Sequence, residues 1–143
     1  MGSRSKINLA YIAGFLDGDG SLMFQLKKRK DTSNGFRFMA TICFYQDRRH
    51  DNILYWIQEV LGVGYISERK DKITELRING FTQVLEILKS LIPFIKIKKI
   101  QAHALKKSCE ILANKSRSNK DLKNLVEKII LIQSENYASR HKK

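Results

Sequence analysis

Hydrophobic residues recur along this chain with two different spacings, and the switches between them predict its elements. Over residues 7–20 the spacing is helical, with Ser5 or Asn8 placed to cap the start. Leu9, Ile12 and Leu16 form one stripe; Ala10, Ala13, Gly14 and Asp17 form another, with Gly18 at its edge. A helix that is apolar or small on two sides needs cover on two sides, and small residues four apart let another helix backbone come close. Residues 21–29 then alternate, with Leu22, Phe24 and Leu26 opposite Met23, Gln25, Lys27 and Arg29, which is the pattern of a half-buried strand. After the turn residues Asp31, Ser33, Asn34 and Gly35, residues 36–46 alternate again. Phe38, Ala40, Ile42 and Phe44 share one face; Arg37, Met39, Thr41, Cys43 and Tyr45 share the other.

Asp47 is placed to cap a second helix through Ile53, Leu54, Ile57, Val60 and Leu61, which Gly62 ends. A shorter hairpin follows. Tyr65, Ser67 and Arg69 alternate with Ile66, Glu75, Arg77 and Asn79 alternate with Leu76 and Ile78, and Asp71 and Lys72 stand at the turn. Residues 81–92 are helical up to Pro93, the single proline, and residues 97–114 and 121–137 read as two more helices joined by a polar loop. This order predicts an α+β domain: an αββαββ core with one four-stranded antiparallel sheet, plus additional C-terminal helices. Its expected extent is residues 6–143, with residues 1–5 read as a tag remnant or disordered segment.

Helices over one face leave the other to Gln25, Lys27, Arg29, Arg37, Thr41, Tyr45, Ser67, Arg69, Glu75 and Arg77. Donors, acceptors and cations with few carboxylates are what reading base edges and phosphates requires. Composition points the same way. The 27 Lys and Arg residues outnumber the 14 Asp and Glu, giving +13, and such a field attracts polyanions through counterion release. A merely soluble basic protein and a membrane-surface protein remain alternatives, but the charge is spread over strands, loops and helix ends rather than gathered beside aromatics on one helix face. No run of residues is long and apolar enough to span a bilayer. Cys43 and Cys109 are far apart and His50, His103 and His141 form no ligand pattern, so no cysteine–histidine metal site is expected. The two cysteines suit a reducing compartment as small, partly buried hydrophobes. A Lys excess over Arg (18 to 9) and 17 Ile residues fit an AT-rich genome such as an organelle's.

Residues 12–20 read IAGFLDGDG, followed by Ser21. This resembles the motif of the LAGLIDADG homing endonucleases: Ala13, Gly14, Asp17, Asp19 and Gly20 match it, and Ile12, Phe15 and Leu16 keep its apolar character. The resemblance continues through Gln46, through GVGYI at 62–66 and through PFIKIKKIQA at 93–102. It implies a saddle-shaped sheet on DNA and two motif helices packed about a two-fold axis through Ala10, Ala13, Gly14, Asp17 and Gly18. Asp19 and the Gly18 carbonyl would ligate Mg²⁺ or Mn²⁺, with Ca²⁺ as a substitute that does not support cutting. Gln46 would orient water and Lys98 would stabilise phosphate charge, while Asp17 would be structural, capping or pairing at the helix interface. The second basic residue of the family's pocket aligns with His50, a departure that leaves its role open, with Arg48 or Arg49 as substitutes.

Because one motif is present, the resemblance implies a homodimer acting on long pseudo-palindromic double-stranded DNA, leaving short 3′ overhangs. It also implies an intron-encoded, organellar protein with no membrane and no small-molecule substrate. Two alternatives stay open at this point: a non-cleaving DNA-binding or maturase-like splicing protein on the same fold, and a basic structural RNA-binding protein.

Overall fold

The computed structural model describes residues 3–30 and 35–141, with the side chains of residues 138–141 excepted. The turn residues Asp31, Ser33 and Asn34 lie outside the described residues. Helix α1 (Lys6–Asp19) leads into β1 (Gly20–Lys28) and β2 (Phe36–Asp47). A single 3₁₀ turn at Arg48–His50 precedes α2 (Asn52–Leu61), the hairpin β3 (Tyr65–Glu68) and β4 (Ile73–Asn79), and α3 (Phe81–Leu91). A second 3₁₀ turn, Ile92–Phe94, carries Pro93 and leads to α4 (Lys99–Ala113) and α5 (Asn119–His141). The four strands form one antiparallel sheet in the order β1-β2-β4-β3.

Alternation decides the packing. Leu22 and Phe24, Ala40, Ile42 and Phe44, and Leu76 and Ile78 point from the sheet into the core and are at most 1% exposed. They meet Ile12 and Leu16 of α1, Leu54, Ile57 and Leu61 of α2, and Val84, Ile87 and Leu88 of α3. Each such side chain contributes about 1.5–3 kcal/mol on leaving water, so a one-residue register slip would turn the whole set to solvent. Cys43 and Cys109 are free and fully buried, deeper than the partial burial expected.

Several local expectations are corrected. Residues 3–5 join the folded domain: the Ser5 hydroxyl accepts from Asn8 N at 3.2 Å, capping α1 as anticipated, and Arg4 donates to Leu61 O. Asp47 caps the 3₁₀ turn instead of α2, accepting from Arg49 N at 2.8 Å. Asp51 precedes α2 and instead accepts from the Thr74 hydroxyl at 2.8 Å. Gly62 closes α2 in the left-handed region (φ 73°), where a side chain would be strained.

Helices α4 and α5 are not confined behind the sheet. Both pack against β1, and Asn136 of α5 donates Nδ2 to Leu22 O at 2.8 Å while its Oδ1 accepts from Gln101 of α4 at 3.4 Å. This clasp brings α5 to the open side of the sheet.

Candidate nucleic-acid interface and active site

Two carboxylates one helical half-turn apart at the end of α1 have opposite fates. Asp17 shares its side of the helix with Ile12, Ala13 and Leu16 and is 8% exposed. A buried carboxylate needs internal donors, and Asp17 has three: Lys96 N at 2.7 Å and Ile97 N at 3.1 Å on Oδ2, and Lys98 N at 3.1 Å on Oδ1. It therefore ties its own chain's 96–98 segment to α1. Asp19 is exposed, and among the described residues no hydrogen bond or ion pair engages it.

The same tether delivers Lys98. The residue is 9% exposed overall, and its ammonium donates to Asp17 O at 2.7 Å, where the carbonyl end of α1 carries partial negative charge. Burial pulls the Lys98 pKa below the ordinary lysine value, while Asp17 and Asp19 pull it back up. Lys98, Gly20, Ser21, Met23, Tyr45, Arg69 and Asn136 line an open cleft of about 530 Å³, which Asp19 adjoins in sequence through Gly20. Gly20 is required there for close approach: a Cβ at this position would fall 2.5 Å from Leu16 Cδ1 and 2.9 Å from Leu16 O.

Gln46 lies at the end of β2, where its Oε1 accepts from Asp47 N at 2.8 Å. Among the described residues no bond joins it to Asp19 or Lys98. His50 is exposed at the end of the 3₁₀ turn. Its two suggested substitutes are occupied: Arg49 chelates Asp47 at 3.0 and 3.2 Å, holding that carboxyl down at a pKa of about 2, and Arg48 donates to Arg69 O at 2.6 Å.

On the open sheet face, register sets the neighbours. Lys27 pairs with Arg37 near the hairpin end, and Gln25 with Met39. Arg77 stands across from Cys43 and Tyr65, and Glu75 between Tyr45 and Ser67. Lys27, Arg37 and Arg69 are exposed, while Gln25, Arg29, Tyr45, Ser67, Glu75 and Arg77 are half-buried. Thr41 is the exception. It is 1% exposed and its hydroxyl donates to Asn79 Oδ1 at 2.8 Å, so its side chain is closed off inside the sheet face and is not presented to a ligand.

The proposed contact stripe of α1 is also redrawn. Ala13 is fully buried in its own core, because one residue step turns the helix by about 100° and carries it away from its neighbour Gly14. Ala10 is half-buried at the margin. Facing outward are Ile7 (82% exposed), Tyr11 (56% exposed), Gly14 and Gly18, at spacings of four, three and four. A Cβ on either glycine would meet nothing within 4 Å, so open space lies over both. Exposed Ile97 and a shallow apolar groove formed with Ile53 and Trp56 add to this face.

This chain by itself offers a hard cation little. Among the described residues no cluster of three or more His, Cys, Asp or Glu side chains is suited to a metal. Asp19 and the negative end of α1, where the Gly18 carbonyl lies, do fit such a cation by chemistry. Six or more oxygens are the usual complement, so the remainder must come from outside this chain.

The LAGLIDADG endonuclease model matches residues 12–96. The DNA endonuclease I-CvuI of Chlorella vulgaris is 29% identical over 99 residues, which is 69% of this chain and 62% of that protein. The match thus spans less than two thirds of that relative's length. The DNA endonuclease I-CreI of Chlamydomonas reinhardtii is 29% identical over 114 residues, 80% of this chain and 69% of that protein. The crystal structure of I-CvuI in complex with the I-CreI target, with Mg present and the DNA not cleaved, superposes with a TM-score of 0.79 at 28% identity, covering 96% of this chain and 85% of that one. With the motif, the αββαββ core and the sheet order all in agreement, this chain belongs to the LAGLIDADG endonuclease family.

Proposed function

We propose that this chain is one subunit of a homodimeric, site-specific endonuclease that hydrolyses both strands of a pseudo-palindromic duplex and leaves short 3′ overhangs. The observation that carries the reading is the end of α1: an exposed, unengaged Asp19 directly below an outward stripe in which Gly14 and Gly18 leave open space. Two such helices packed about a two-fold axis bring two Asp19 carboxylates together, and like charges that close need cations between them. When bound there with the Gly18 carbonyls, Mg²⁺ or Mn²⁺ supplies charge neutralisation at the phosphate and activation of water. Ca²⁺ is expected to occupy the same ligands without supporting cutting.

The chain's own groups do the rest. Asp19 supplies anionic ligand oxygens, and Lys98 is held by Asp17 where its ammonium can meet charge developing on the phosphate. Gln46 orients water once Asp47 N releases its Oε1. The sheet-face side chains set position and sequence preference. No helix among the described residues is long and apolar enough to cross a membrane, and the Lys and Ile bias fits an organellar genome.

The direct test incubates the purified chain and Mg²⁺ with a randomised palindromic DNA library and sequences the cut ends. A recurring two-fold site with 3′ overhangs is expected; tight binding with every duplex left intact would overturn the cleavage reading.

Gly14→Leu tests the interface. With open space over position 14 and leucine's better helix propensity, the subunit should fold at least as stably as before. Two clashes of roughly 1–3 kcal/mol each at the axis should weaken association by about 30-fold or more. Sedimentation velocity should then show a folded monomer, and an unchanged dimer would remove the stripe from the interface. Lys98 gives a pH prediction. Its depressed pKa means that the ammonium loses its proton earlier than an ordinary lysine as pH rises. Cleavage should therefore fall on the alkaline side below pH 10.5. The residual activity of Lys98→Met should lack that limb, and an identical limb in both proteins would exclude Lys98 as its source.

A further inference from the structure

Glu75 puts a carboxylate into the middle of a face otherwise set up for an anion, and its surroundings show what holds it there. It is half-buried on β4, flanked across the strands by Tyr45 and Ser67. One oxygen, Oε2, lies 3.6 Å from Arg77 Nη1, 3.9 Å from Arg69 Nη1 and 3.7 Å from the Cys43 thiol sulfur. Cys43 is fully buried beneath it, and that burial raises the thiol to a pKa of about 11, so it stays a protonated donor at neutral pH. Arg69 is gripped from its other side as well, with Nη2 at 2.7 Å from Asp71 Oδ2. Two guanidiniums thus converge on one carboxylate oxygen that is anchored from below.

A guanidinium has five N–H donors in a fixed fork, and Glu75 engages one nitrogen of each arginine. The remaining donors are oriented before any ligand arrives. Bidentate reading of guanine O6 and N7 depends on the plane of the fork, which a freely rotating arginine must fix on binding. A phosphate, by contrast, needs only positive charge, and the carboxylate cancels much of that charge locally. The cluster therefore favours neutral base-edge acceptors over the backbone.

We propose that Glu75 is a specificity-determining positioning residue, which fixes Arg69 and Arg77 as an oriented pair for base-edge acceptors in the major groove and holds phosphates off them. This rests on the reading of the sheet as a DNA surface. It assigns Glu75 the role of counter-ion to two readers, rather than that of a base contact.

The test compares full-length wild type, Glu75→Gln, Glu75→Asp and Arg77→Lys in two measurements. The first is binding to a random-sequence duplex across a salt series. The second is base preference from sequencing the cut members of the DNA library. In Glu75→Gln the freed arginines should engage phosphates, tightening random-duplex binding at least about threefold at low salt and steepening the salt slope by about one charge. Preference should flatten by about tenfold at a few adjacent base pairs and stay unchanged elsewhere in the site. Glu75→Asp should restore most of it. Arg77→Lys keeps the charge but loses the fork, and should flatten the same positions without the change in salt slope. An unchanged slope and preference profile in Glu75→Gln would overturn the proposal, as would an equal loss at every position. A wild-type protein that neither binds nor cuts any duplex would instead defeat the DNA reading itself.

Discussion

Asp19→Asn is expected to leave the target bound and uncut. The substitution keeps the size of the side chain and removes the anionic charge, and Asp19 makes no bond among the described residues that its loss would break. Folding and sheet contacts should therefore survive, while the cleavage rate falls by at least about 10³-fold, equivalent to about 4 kcal/mol of barrier. Single-turnover cleavage with saturating Mg²⁺ reads the rate, and a gel-shift titration on the same duplex reads affinity. A rate within tenfold of wild type would take Asp19 out of the mechanism. A wild-type protein equally unable to cut would point to the non-cleaving relative on this fold.

The companion substitution two residues earlier should act on stability as well as on cleavage. Asp17→Asn turns one of the two acceptor oxygens into an N–H donor, which then faces at least one of the three backbone amides held at 2.7–3.1 Å. Losing a charge-assisted cluster this well buried costs about 3 kcal/mol, or a fall of about 6–12 °C in Tm for a chain of this size. Cleavage should fall too, because the 96–98 segment that delivers Lys98 is no longer fixed. Differential scanning calorimetry of the metal-free protein measures the first effect. A shift under about 2 °C would mean that the tether adds little to stability.

The elements of this fold were readable because each strand has one buried face. Leu22 and Phe24, or Ile42 and Phe44, can only alternate as they do if one side is packed, and the structure buries that side. The two-sidedness of α1 was readable as well, yet the sides were divided wrongly. Ala13 and Gly14 differ by a single step, and small residues carry too little hydrophobic signal to show which turns inward. Asp17 left a clue that composition obscures: a carboxylate in phase with Ile12, Ala13 and Leu16 must find donors in the interior. Its partners lie 79–81 positions away, beyond the reach of any local period. Asn136 is 114 positions from Leu22 and gave no signal at all. Thr41 failed for another reason, since the outer face of a sheet need not be wet: its hydroxyl is closed off by Asn79. The cluster of Arg69, Glu75 and Arg77 was legible as residues on one face, though not as an interaction.

The separation between Asp17 and its three amides sets the order in which the chain can close during synthesis. A chain emerging from the ribosome exposes residues 12–20 before residues 96–98, and the motif helix cannot close on that segment until the residues 79–81 positions further on have been made. Until then Asp17 lacks its partners and Lys98 does not exist. The proposed site is thus complete only after that segment has emerged, and termination products that retain the motif but stop before Lys96 should not cut DNA.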